Sequence, residues 1–277
     1  MFNPIESKDF KINPFPYVIK DNFMEDHYFN ALILELEEIE KMKRRVWSGD
    51  KDKLADPAVW PDENDSAEEY PIASKVIKHL RSNAFYAPMI KEWSDYFPRR
   101  HGVTVDFVNK NLSKIARSQI WLDAAGKYVK IREPHVDNHK SIITFLYYCR
   151  LPEDSSTGGD LTTYLLKKGF RGFKLATLKD SYYFNDKDIK LEETIRYKPN
   201  RLVVTLNGKN AIHGITPRQN ATVSRIKFIG CLNSEHARID ESLENAPIWK
   251  IFYYPLRFSQ KALIKGKKTF FGSTPSY

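Results

Sequence analysis

The chain has 277 residues, 42% of them hydrophobic and 13% aromatic. That composition supplies a core and excludes the disordered, fibrous and coiled-coil classes. Its net charge of +9 is unevenly spread: residues 50–69 hold eight acids against Lys51 and Lys53, whereas residues 245–277 hold six Lys or Arg and no acid.

The longest uncharged apolar run, 141–149, is about half of what a bilayer crossing needs. The opening MFNPIESKDFK carries charges where a signal peptide has its apolar segment, so we expect no membrane association and a cytoplasmic location. Cys149 and Cys231 sit inside apolar runs, as buried thiols in a reducing compartment do.

In chain order, residues 15–23 (FPYVIKDNF) predict a short strand running into a turn. Phe29, Leu32, Ile33, Leu36 and Ile39 then follow one face of a helix that ends in Lys41, Lys43, Arg44 and Arg45, as the helix dipole prefers. Residues 47–71, with Gly49, Pro57, Pro61 and Pro71 among many acids, predict a long surface excursion bordering a site. Two shorter helices follow, one marked by Val76, Ile77 and Leu80, the other by Met89, Ile90, Trp93 and Phe97 with Pro88 in its first turn. From about Ser113 the period becomes two, predicting strands at 116–122, 127–133, 141–149, 161–166, 201–206, 211–216 and 223–232. Asn207-Gly208 is a hairpin signal that would pair 211–216 with 201–206. The expected fold class is α+β, mainly β: an antiparallel sandwich or barrel with N-terminal covering helices. One domain is expected over 1–277, with helical support over 1–112, a core over 113–234 and a basic aromatic extension over 235–277.

Three residues carry the chemistry. His135 and Asp137 in EPHVDNH are spaced i and i+2, so on a strand they share a face and can hold one metal ion from one side. His213 in NAIHGITP, 78 residues later, can supply a third ligand. Two imidazoles and a carboxylate on one face of an octahedral ion leave open positions for a cosubstrate and dioxygen, an arrangement suited to non-haem Fe(II). A cosubstrate with a distal carboxylate, which the family resemblance given below implies, also needs a buried cation, and a guanidinium suits that role. Arg225 is the candidate, with Lys227 on the same strand face as the alternative and Arg218 placed in the turn after Pro217. Thr144 or Tyr148 would add a hydroxyl to the same carboxylate. Gly158-Gly159 is either a φ-restricted passage into the next strand or a plain turn.

The order of fragments from 114 to 233 resembles the Fe(II)- and 2-oxoglutarate-dependent oxygenases, in particular the prolyl-4-hydroxylase-like superfamily. These fragments are Tyr128 to Pro134 leading into His135-Val136-Asp137-Asn138, then Thr144 and Tyr148, Gly158-Gly159-Asp160-Leu161, Pro199-Asn200-Arg201-Leu202, His213-Gly214-Ile215-Thr216-Pro217 and Arg225. The resemblance implies a double-stranded β-helix (jelly roll) with iron at one mouth. It also implies 2-oxoglutarate chelating that iron while Arg225 holds its far carboxylate, dioxygen as co-reactant, ascorbate as a candidate reductant, and hydroxylation of an unidentified substrate with release of succinate and carbon dioxide. The family usually spaces its Arg or Lys roughly ten residues past the distal histidine; here Arg225 is twelve past His213.

Two other functions compete. His135, Asp137 and His139 fit a fragment of zinc-dependent hydrolases, although Asp137-Asn138 is turn chemistry that would rotate His139 away. A degenerate jelly roll could instead bind nucleic acid or protein through the basic aromatic extension. His27, His79, His101 and His236 show no partner pattern and receive no role.

Overall fold

A computed structural model describes residues 1–47, 58–59, 69–129, 132–138, 140–167 and 182–237. Most of the expected acidic excursion, His139 and the basic extension past Ala237 lie outside the described residues. No described helix is long and apolar enough to cross a membrane.

Four α-helices precede the main run of strands: α1 (Asp26–Trp47), α2 (Pro71–Leu80), α3 (Asn83–Glu92) and α4 (Val105–Ile115). The predicted face of α1 is the buried one, with Phe29, Leu32, Ile33, Leu36 and Ile39 all inside; each such side chain stabilises by about 1.5–3 kcal/mol. Helix α3 begins earlier than its apolar spacing suggests, because the Ser82 hydroxyl caps it by accepting from Phe85 N at 3.3 Å. Pro88 therefore lies inside the helix and not in its first turn. Helix α4 was not anticipated: Thr104 caps it, and Val108, Leu112 and Ile115 form its buried face.

The strands are β1 (Phe10–Lys11), β2 (Tyr17–Asp21), β3 (Ala58–Val59), β4 (Ala116–Asp123), β5 (Gly126–Val129), β6 (Arg132–Val136), β7 (Ser141–Tyr148), β8 (Leu161–Leu166), β9 (Tyr182–Tyr183), β10 (Ile189–Ile195), β11 (Arg201–Leu206), β12 (Ile212–Ile215), β13 (Arg218–Ala221) and β14 (Arg225–Asn233). All pairings are antiparallel. One sheet runs β1-β2-β11-β7-β14-β4-β3, a second runs β10-β8-β12-β6-β9, and β13-β5 form a separate pair.

Alternation sorts the larger sheet into two faces. Ile143, Phe145 and Tyr147 of β7, Leu202, Val204 and Leu206 of β11, and Ile226, Phe228 and Leu232 of β14 join the helices in the main core cluster. The opposite face contributes Tyr17, Tyr148 and Val203 to a second cluster with Leu161 of β8 and Ile195 of β10, which belong to the smaller sheet. The two sheets are therefore packed together, with the helices outside the larger one.

The expected hairpin at Asn207-Gly208 does not form. β11 pairs with β2 and β7, whereas β12 pairs with β6 and β8, so the chain crosses from one sheet to the other. The tight two-residue turn needs positive φ at both central residues, and neither Asn207 nor Gly208 has it. Asn207 is instead pinned to β7, its N–H donating to Ile142 O at 2.9 Å.

Gly158 and Gly159 do hold the left-handed conformation, at φ 78° and 75°. A Cβ on Gly158 would stand 2.0 Å from Pro217 O. The glycine pair is thus a close crossing of two backbones leading into β8, and not a plain turn.

Candidate metal centre

The smaller sheet sets the two histidines side by side. β6 and β12 are paired with His135 directly opposite His213, and the ring centroids are 4.4 Å apart. Asp137 follows β6 by one residue and keeps the same face. Its Oδ1 lies 3.3 Å from His135 Nε2 and 3.8 Å from His213 Nε2. One donor atom from each of the three residues falls within 4.8 Å of the others. Ligands at cis positions of an ion with bonds near 2.1 Å are roughly 3 Å apart, so the carboxylate–imidazole separations are close to the edges of such a coordination shell.

Backbone contacts settle which ring nitrogens face the centre. His135 Nδ1 is 2.8 Å from Glu133 O and His213 Nδ1 is 3.0 Å from Ala211 O. A carbonyl can only accept, so each Nδ1 carries the proton and each Nε2 turns inward, the usual outer-shell arrangement for ligating imidazoles. His135 Nε2 is buried without a hydrogen-bond partner among the described residues. Burial pushes the His213 imidazole down to about 4, which leaves it neutral near pH 7. Burial would raise the Asp137 carboxyl, but His213, His135 and Arg132 hold it well below its usual range. The donor set is therefore suited to a divalent cation.

The predicted hydroxyls separate in role. Thr144 does not face Arg225: its Oγ1 donates to Asp137 Oδ2 at 2.9 Å. Tyr148 is beside Arg225, whose guanidinium lies 4.9 Å from the Tyr148 ring and 5.0 Å from the Tyr197 ring. Arg225 is fully buried. Its Nη1 donates to Asp123 Oδ2 at 2.9 Å, and Lys227 Nζ donates to the same oxygen at 2.6 Å. Two cations thus share one carboxylate, and a positive charge is left over. Burial would raise Asp123, yet Lys227 and Arg225 bring it to about 2; burial lowers Lys227 to about 7, against the pull of Asp123.

Arg225 Nε and Nη2, Tyr148 Oη and Tyr197 Oη are all buried without a hydrogen-bond partner among the described residues. Each unmet group costs about 1–3 kcal/mol. Together they describe a place for a polar ligand with acceptor atoms. Thr163 Oγ1 is similarly unmet and sits opposite His213 in the β8–β12 pairing.

Arg218 is not in a turn, and its Nη1, like Arg225 Nη2, is buried without a hydrogen-bond partner among the described residues. It lies on β13, fully buried, and its Nη2 donates to Asp154 at 3.1 Å and to Ser156 Oγ and Val223 O. The rival His135-Asp137-His139 set cannot be placed because His139 is outside the described residues. Asn138 does make the expected turn, with its Oδ1 accepting from Lys140 N at 2.9 Å.

Asp123, Tyr197 and the side chain of Asn207 were not singled out from the sequence. Asp123 had a visible signal, since Trp121 and Asp123 alternate at the end of a strand; Tyr197 lies in a connection and had none. A cleft of about 1170 Å³ includes Arg150, Tyr197, Lys198 and Arg201 but none of His135, Asp137 or His213. Its size reflects an open surface groove, and the unmet buried atoms are the better guide to chemistry.

No family model matches the chain, and no curated protein matches it. Solved structures do, and the three compared are all prolyl hydroxylases. A prolyl 4-hydroxylase from Phytophthora capsici is 14% identical, with a TM-score of 0.43 and coverage of 87% of this chain and 68% of the other. One from Pseudomonas putida is 14% identical at a TM-score of 0.38, covering 79% and 92%. A prolyl hydroxylase from Trichoplax adhaerens, in complex with a hypoxia inducible factor peptide fragment, is 11% identical at 0.39, covering 78% and 83%. Scores of this size leave the assignment of function to the chain's own residues.

Proposed function

We propose that the chain is an Fe(II)- and 2-oxoglutarate-dependent dioxygenase that hydroxylates an unactivated C–H bond of a small molecule or a protein residue. The observation that carries this reading is the pairing of an oriented two-imidazole, one-carboxylate set with a buried, unsaturated cation site on the facing sheet. Two antiparallel sheets packed together suit a double-stranded β-helix, with 113–234 as the catalytic core of a single domain. The donor set fits a ferrous ion: His135 and His213 would bind through Nε2 and Asp137 through Oδ1. When bound, Fe(II) and 2-oxoglutarate supply oxygen activation coupled to oxidative decarboxylation, giving succinate and carbon dioxide.

The protein's own share is positional. Arg225 grips the far carboxylate of the cosubstrate through its free Nε and Nη2, with the Tyr148 and Tyr197 hydroxyls as further donors. Asp123 offsets the repulsion between Arg225 and Lys227 by accepting from both. Tyr183, paired with His135 and half-exposed, stands on the solvent side of the centre, 5.5 Å from the His135 ring. A reducing cytoplasm would suit both a ferrous site and the free thiols of Cys149 and Cys231.

The test is succinate formation by purified protein supplied with Fe(II), 2-oxoglutarate and oxygen, without a primary substrate. Slow formation above a His213→Ala background is expected. No succinate above that background, with iron bound to the wild type, refutes the reading.

A further inference from the structure

The two oxygens of Asp137 are not equivalent. Oδ1 faces both imidazoles, while Oδ2 accepts from the Thr144 hydroxyl at 2.9 Å. That hydroxyl in turn lies 2.8 Å from Asn207 Nδ2, which also lies 3.1 Å from Ser141 O. A backbone carbonyl only accepts, so the atom beside Ser141 O must be the amide nitrogen. Its second hydrogen then points at Thr144 Oγ1. Thr144 accepts from Asn207, and its own proton is left for Asp137 Oδ2. The direction of the whole chain follows from one carbonyl.

Thr144 rests on a strand, and Asp137 and Asn207 each follow one by a single residue. Thr144 is in the middle of β7, paired with Thr205 on one side and Cys231 on the other. Asn207 is almost fully buried, and its main-chain N–H is tied to Ile142 O. Asn207 is also where the chain leaves one sheet for the other, so the same residue anchors the crossing to β12 and polarises the support of Asp137.

We infer that Thr144 and Asn207 are positioning residues that hold Asp137 to one-oxygen coordination by occupying Oδ2. This rests on the metal centre proposed above and assigns it a property of its own: the number of open positions. A carboxylate bound through one oxygen leaves three positions on a six-coordinate ion, and one bound through both leaves two. Three are needed if a two-atom chelate and dioxygen are to bind together. Removal of the Thr144 hydroxyl frees Oδ2 to swing onto the metal.

Mn(II) reports this without turnover, through the relaxation of water protons exchanging at its open positions. The wild type is expected to show three exchangeable waters, and Thr144→Val two, a fall of about one third in the inner-sphere enhancement for a six-coordinate ion. Thr144→Ser should restore the wild-type value. Melting temperatures measured on the same samples separate this effect from general loss of structure. If Thr144→Val does not fold, metal-minus-apo infrared difference spectra of the wild type with ¹³C-labelled aspartate give the same information. One-oxygen binding gives a wide separation of the two carboxylate stretches, and two-oxygen binding a narrow one. Wild-type relaxation retained in Thr144→Val, or a narrow separation in the wild type, overturns the inference and leaves the metal centre standing. A wild type that binds no Mn(II) overturns both.

Discussion

Arg225→Ala separates a cosubstrate site from a merely structural ion pair. At pH 6 the Lys227 ammonium, lowered by burial only to about 7, is still charged. Asp123, Arg225 and Lys227 then carry one excess positive charge in a buried place. The Arg225 side chain has no exposure, and two of its nitrogens have no partner among the described residues. Removal of Arg225 leaves Lys227 Nζ 2.6 Å from Asp123 as a neutral pair, so the attraction for a second carboxylate disappears while Asp123 remains satisfied. Loss of one partner of a buried charge pair costs about 3–5 kcal/mol, or roughly 150-fold to several thousandfold in affinity. The lower end applies here because Lys227 remains in place. The assay is calorimetric titration of 2-oxoglutarate into Mn(II)-loaded protein, with Mn(II) affinity measured separately and expected to stay unchanged. A loss smaller than tenfold, or the full loss in Lys227→Ala and not in Arg225→Ala, refutes the assignment of the cation.

Three further outcomes follow from the same geometry. Because Lys227 titrates near 7 and Arg225 does not, 2-oxoglutarate affinity should weaken between pH 6 and 9 by up to about tenfold, or 1.4 kcal/mol, and the trend should vanish in Lys227→Met; a flat wild-type profile measured by the same titration contradicts it. Asp123 lies at about 2 in the folded chain against 3.8 as an isolated side chain, so its contribution of about 2 kcal/mol is present above pH 4 and is lost as pH falls from 4 to 2. Denaturant midpoints of wild type and Asp123→Asn across that window should therefore converge on acidification, and parallel curves would refute the linkage. Gly158→Ala places a Cβ 2.0 Å from Pro217 O at φ 78°, which should lower the thermal midpoint by roughly 6–12 °C for a loss of about 3 kcal/mol; an unchanged midpoint by calorimetry would mean that the crossing relaxes freely.

Local periodicity carried much of the fold. The apolar spacing in α1 and the alternation in β4, β7, β8, β11 and β14 predict elements the structure contains, because one buried face imposes its own period on the chain. Helix α4 is equally legible, with Thr104 as cap and Val108, Leu112 and Ile115 on one face, although no helix was anticipated there. Strand β10 was not, since its residues Lys190 to Glu192 face solvent and show no apolar alternation. The Asn207-Gly208 misreading has a different cause: a dipeptide that favours a tight turn was overruled by side-chain bonds to β7, a tertiary effect that no local window contains. At the site, the i, i+2 pair and the distant histidine were visible as a pattern. The partition of Thr144 to Asp137 and of Tyr148 to Arg225 was not, because both face inward from the same strand, and what distinguishes them is the facing sheet for Thr144 and the neighbouring strand β14 for Tyr148.

The crossing at Asn207 also bears on how the molecule assembles. His135 and His213 are separated by 78 residues of chain and meet only when β6 and β12 are paired, whereas the support for Asp137 comes from β7 and from the residue that follows β11. Closing so long a loop is entropically unfavourable until the strands on either side are in register. A partly folded chain with its helices formed and its sheets apart therefore has three scattered donors and little affinity for a divalent ion. Metal affinity belongs to the fully assembled protein, so an ion that binds there stabilises that state alone, by mass action. On the metal centre proposed above, metal supply and correct folding would be coupled: the ion would select finished molecules from unfinished ones without acting on the folding pathway itself.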